Sequence, residues 1–94
     1  MTFIGYTSKL GRVDVDGIEK YRSRNAVDEV VVFCREDPAE GVKSLVEEKG
    51  YKLRIDENPR KAARALAKDL KSRGEKVEVF DLQDFGERAI RDVC

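Results

Sequence analysis

From Pro59 to Lys76 the chain carries seven basic side chains (Arg60, Lys61, Arg64, Lys68, Lys71, Arg73, Lys76) and two acidic ones, Asp69 and Glu75. Wound as a helix at about 100° per residue, Arg60, Lys61, Arg64, Lys68 and Lys71 fall in one arc about 100° wide. Asp69 lies outside that arc. A stripe of one sign attracts polyanions, either nucleic acid or an acidic protein surface, or is simply a solvated helix face. No aromatic residues are interleaved with it in the sequence, so stacking recognition of single strands is not indicated. The stretch from Glu29 to Asn58 leans the other way, with five basic and eight acidic residues. Charge is therefore segregated along a chain whose net charge is zero.

A second candidate site follows from strand ends. In parallel α/β sheets, ligands bind beyond the carboxyl ends of the strands. Three segments that read as strands lead into Cys34, Arg35, Glu36 and Asp37, then Asp56, Glu57 and Asn58, then Asp81. Cys34, Arg35, Asp56 and Asp81 are the candidate binding residues of this edge. Two proline-started helices present free N–H groups nearby, which suits an anion and would depress a neighbouring thiol's pKa. The expected caps of those helices, Asp37 and Asn58, explain part of the same pattern without any ligand. An Asp56–Asp81 pair has the oxygen chemistry of a Mg²⁺ site but no motif spacing. Gly5 to Arg12, Gly-Tyr-Thr-Ser-Lys-Leu-Gly-Arg, is bounded by glycines like a phosphate loop. Its spacing misses the Walker pattern, and a hairpin turn is the expected structure.

The composition removes several chemistries. There is no histidine, so Ser-His-Asp triads, Cys-His pairs and histidine-ligated metals are absent. Two cysteines cannot make a four-thiolate zinc site in one chain. Arg35 could stabilise a Cys34 thiolate but cannot accept a proton. No catalytic residue, metal or cofactor is assigned, and whether the chain is an enzyme stays open. Cys34 reads as a buried structural thiol and Cys94 as a chain-end one. The longest apolar run, Val30 to Cys34, is far short of the ~20 residues that span a membrane. With no leader-like segment after Met1, a cytoplasmic protein is expected. Few Asn and Gln beside abundant Glu, Lys and Arg give the composition a thermophilic character.

The elements that must position these residues are legible in the second half. Val30 to Cys34 reads as a strand buried on both faces. Asp37-Pro38 starts a helix with Val42, Leu45 and Val46 inward, and Gly50 stops it. Tyr51, Leu53 and Ile55 alternate inward on a second strand. Asn58-Pro59 opens the basic helix, whose apolar stripe is Ala62, Ala63, Leu66, Ala67 and Leu70, and Gly74 ends it. Val77, Val79 and Phe80 mark a third strand. Asp84 and Glu87 form a capping box for a last helix with Phe85, Ala89, Ile90 and Val93 inward. In the first 28 residues, Phe3 to Thr7 reads as a strand. Arg12 to Val15 alternates as a half-exposed second one, and Gly17 to Arg24 is helix or loop.

Val30 to Ile55 resembles the opening of a glutaredoxin-type domain: a Val-Val-Val-Phe strand, a loop, a helix ending in Glu-Lys-Gly-Tyr and a second strand. The Cys-x-x-Cys of that family is missing between Asp37 and Gly41, and no proline follows Pro59. No redox activity is carried over. The expected fold is one α/β domain over residues 1–94, with a mixed, mostly parallel sheet of four to five strands, βαβ crossovers and three or four helices. The expected function is a small non-enzymatic binding or protein-interaction module. The alternatives are a ligand-binding protein or enzyme using the strand-end edge, and a weak nucleic-acid binder using the basic helix. Oligomeric state is not readable.

Overall fold

The structure is a computed structural model and describes residues 1–84. The elements run β1 (Thr2–Thr7), α1 (Arg12–Arg24), β2 (Glu29–Cys34), α2 (Glu40–Lys49), β3 (Lys52–Ile55), α3 (Pro59–Ser72) and β4 (Val77–Asp81). Residues 82–84 open a further helical turn. The four strands form one sheet in the order β3-β2-β1-β4, and every pairing is parallel. The expected α/β class holds, and among the described residues the sheet has no antiparallel partner. The anticipated inward face of Phe85, Ala89, Ile90 and Val93, Glu87 of the capping box, and Cys94 lie outside the described residues.

Alternation along the strands sends side chains to two cores. Phe3, Val30 and Val32 pack with Val15 and Ile18 of α1 and Val42 and Val46 of α2. Ile4, Val31, Phe33 and Val77 pack with Ala63 and Ala67 of α3. Among the described residues the sheet is thus sandwiched, with α1 and α2 on one face and α3 on the other. Central strands buried on both faces read as continuous apolar runs, as Val30 to Cys34 does. Among the described residues no helix is long and apolar enough to cross a membrane.

Four expectations are corrected. Arg12 to Val15 is no strand and Ser8 to Gly11 no hairpin, because α1 begins at Arg12. The Asp14 carboxylate accepts the Gly11 N–H at 2.8 Å and fixes that start. Val15 and Ile18, three apart, face the core while Val13 is 54% exposed. β1 is central in the sheet, paired with β2 on one side and β4 on the other. Secondly, Asp37 does not cap α2. The helix starts one residue after Ala39, whose carbonyl takes the Val42 and Lys43 N–H groups. Asp37 instead holds Lys43 Nζ at 2.7 Å. Thirdly, Ile55 is 51% exposed, since β3 is the edge strand. Fourthly, the small residues Ala63 and Ala67 press on the sheet, while Leu66 and Leu70 sit half-buried at the margin.

Other sequence signals hold. The Asn58 side chain accepts the Lys61 N–H at 3.2 Å, with Pro59 at the first helical position. Gly50 and Gly74 take φ of 76° and 84°, the left-handed region that favours glycine after a helix.

Polar contacts tie α1 to the end of α2, among them Arg22, which donates to the Lys49 carbonyl at 3.3 Å. The buried Tyr51 hydroxyl donates to Glu19, which also holds Arg22 at 3.1 Å. Burial, then the hydrogen bond and charge of Glu19, push the Tyr51 phenol well above its ordinary value. A raised phenol stabilises the fold below about pH 10, and that share is lost as pH climbs toward the folded-state value. Tyr51→Phe should cost about 1.5 kcal/mol at pH 7, at the low end for a charged hydrogen bond because Glu19 keeps Arg22. It should also lessen the stability loss above about pH 10. Urea melts at neutral and alkaline pH check this; equal alkaline loss in both proteins would refute it.

Candidate functional site at the β1–β4 junction

Strand order dictates where a ligand would sit. From β1 the chain steps outward to β2 and β3, then α3 carries it back across the sheet to β4 on the other side of β1. The reversal makes the carboxyl ends of β1 and β4 the topological switch point, where open α/β sheets form their crevices. A crevice of about 400 Å³ opens there, with Tyr6 from β1, Asp81 from β4 and Arg60 from α3 in its walls.

Backbone hydrogen bonds assemble its rim. The Ser8 carbonyl accepts the N–H groups of Arg35 (3.1 Å) and Glu36 (2.9 Å), which draws the loop after β2 over the loop after β1. This brings Arg35 and Ser8 into one wall. The Cys34 carbonyl accepts the Asp56 N–H at 2.9 Å. The Asp56 carboxylate then accepts the Asn58 N–H at 2.8 Å, and the Asn58 cap starts α3 with its N-terminus at the crevice. Asp81 accepts the Gln83 N–H at 3.1 Å, which turns the chain sharply after β4.

The candidate residues of the strand-end edge part company here. Arg35 and Asp81 line the crevice. Asp56 is exposed beyond β3, outside the crevice wall, and serves the turn into α3. Cys34 is fully buried. Burial pushes its thiol up, and the Asp37 carboxylate adds to the shift. The expected depression does not occur, because burial disfavours the thiolate and Asp37 adds a like charge, while α2 begins only at Glu40. A buried thiol with a raised pKa is a poor nucleophile. Among the described residues no three metal-ligating side chains cluster.

All five residues of the basic face are exposed, and they divide too. Arg60 belongs to the crevice. Arg64, Lys68 and Lys71 border a shallow groove between α3 and β4, with Ala67 and Val79 in its floor. Lys61 stands at the outer end of the arc and lines neither. The groove on the opposite flank of α3, over β2 and β3, has a mixed lining in which Lys52 is paired with Glu29.

Tyr6, Thr7 and Ser8 were not foreseen as site residues. Only the strand order places them: a central β1 sets them at the carboxyl end beside Asp81. Their signal was the apolar Thr2 to Gly5 segment, buried throughout. No protein-family model, curated protein or solved structure matches the chain.

Proposed function

We propose that this protein is a non-enzymatic binding module whose ligand is a nucleotide held in the β1–β4 crevice. The observation that carries the reading is the composition of one small cavity at the switch point. Two arginines, Arg35 and Arg60, line it together with Tyr6, Glu57 and Asp81. Arginine and the N-terminal end of α3 suit a phosphate. The carboxylates disfavour a bare polyphosphate but accept hydrogen bonds from ribose hydroxyls or an exocyclic amine. Tyr6 offers a flat ring to a base. A ligand that combines anion, donors and an aromatic ring satisfies all three. A catalytic role finds no support in the only described thiol, which is buried behind the edge.

Calorimetric titration with uridine and adenosine 5′-monophosphates tests this, with inorganic phosphate and the free nucleosides as controls. Saturable mononucleotide binding is expected, weaker by about tenfold or more (about 1.4 kcal/mol) in Arg35→Ala/Arg60→Ala. Absence of binding at millimolar nucleotide, or binding untouched by the double variant, would reject the reading.

A further inference from the structure

Helix α3 contributes residues to both the crevice and the groove beside it, though no residue lines both. Arg60 stands in the crevice and is followed along the same flank of the helix by Arg64, Lys68 and Lys71. Steps of four, four and three residues, at about 1.5 Å rise each, set the cations about 4.5–6 Å apart over about 16 Å. Among the described residues no carboxylate lines the groove, whereas on the opposite flank of α3 Glu29 compensates Lys52. Asp69, the acid of α3, turns away and pairs with Arg73 at 3.1 Å. The result is an uncompensated cationic ridge that begins at the proposed nucleotide site.

We infer that the ridge of Arg64, Lys68 and Lys71 carries the sugar-phosphate backbone of a single-stranded nucleic acid whose leading nucleotide occupies the β1–β4 crevice. This rests on the nucleotide reading of the crevice and names the ligand's larger class. A base entering the crevice has to be unpaired, which selects a single strand over a duplex. Regular cations beside a shallow floor of Ala67 and Val79 suit a flexible polyanion, whose affinity comes from phosphate neutralisation. Tyr6 supplies the aromatic ring that the sequence of α3 lacks, through tertiary proximity. A second copy is a poorer occupant. Antiparallel pairing of two β4 edges would put both α3 helices on the same sheet face, with their cationic flanks opposed.

The test compares uridine 5′-monophosphate with a 5′-phosphorylated octauridylate on the full chain at several salt concentrations. Octauridylate should bind about tenfold tighter or more. In Arg64→Gln/Lys68→Gln/Lys71→Gln that gain should vanish while mononucleotide binding stays. All three side chains are exposed, so the variant's melting temperature should match the parent's. The log–log salt slope should become shallower by about 2, at about 0.7 per lost contact on a single strand. Mononucleotide binding with no gain from length overturns the ridge and leaves the crevice standing. Length-dependent, ridge-dependent binding of octauridylate without any mononucleotide binding supports the ridge and overturns the crevice. Duplex RNA bound as tightly as the single strand, or an octaglutamate peptide bound as tightly and lost in the same variant, overturns the single-strand assignment. The peptide result would point to an acidic protein surface.

Discussion

Phe3→Ala should cost about 3–5 kcal/mol, the range for deleting a buried phenyl ring. Phe3 is fully buried in the central strand β1. Its ring stacks on Phe80 of β4 at 4.6 Å between centroids and meets Tyr21 of α1 edge-on at 5.4 Å. Tyr21 and Phe80 are themselves 5.1 Å apart. Three elements thus share one aromatic cluster, and removing its centre leaves a cavity that none can fill alone. The loss is a large part of the ~5–15 kcal/mol that holds a domain together. Urea denaturation should show the midpoint fall steeply with little change in slope. Phe80→Ala, at a half-buried ring, should cost less. The two changes should be coupled by about 0.5–1.5 kcal/mol in a double-mutant cycle. A Phe3→Ala cost under about 1.5 kcal/mol would show that the cluster is not a packed core.

Gly5→Ala should destabilise by about 1–3 kcal/mol although alanine suits a strand better than glycine. The backbone at Gly5 needs no special conformation, since positive φ among the described glycines falls at Gly50 and Gly74. Space is the reason. A Cβ built at Gly5 would stand 2.7, 2.9 and 3.0 Å from Cδ2, Cγ and Cδ1 of Leu82. Leu82 is fully buried, so the whole side chain would have to move into occupied volume. Leu82→Ala opens that volume and should itself cost about 2–5 kcal/mol. In the Leu82→Ala background the Gly5 substitution should turn neutral or stabilising by up to about 1 kcal/mol. Gly5→Ala costing the same in both backgrounds would disprove the contact. The pair also accounts for one of the two glycines that give Gly5 to Arg12 its likeness to a phosphate loop: Gly5 makes room for a leucine.

Legibility in the sequence followed how local each signal is. Val30 to Cys34, the Asn58-Pro59 start of α3 and the Gly50 and Gly74 stops are encoded within a few neighbouring residues, and all stand as expected. The first turn of α1 reads as a strand because Val13 and Val15 alternate with Asp14 and Asp16, and Gly17 leaves the rest, Gly17 to Arg24, open between helix and loop. The competing helical signal was Val15, Ile18 and Tyr21, three residues apart. Strand order was out of reach, since parallel partners meet only through crossovers. The site shared that fate. Arg35 and Asp81 could be placed at the strand-end edge from sequence, but their meeting with Tyr6 and Arg60 depends on β4 landing beside β1. Segregated charge on α3 was visible; that its first cation would join a cavity was not.

The position of β1 bears on how the chain is made. Its first residues pair on one side with β2, Thr2 against Glu29, and on the other with β4, Thr2 against Val77. During synthesis the first pairing becomes available early, whereas the second waits until nearly the whole described chain has emerged. Until then β1 presents an apolar, unpaired edge, the kind of template that captures other strands. Parallel closure over such a sequence separation is also entropically slow. Nascent chains stalled before Val77 should therefore be aggregation-prone species that depend on chaperones, although β1, β2 and both helices of one sheet face are already present.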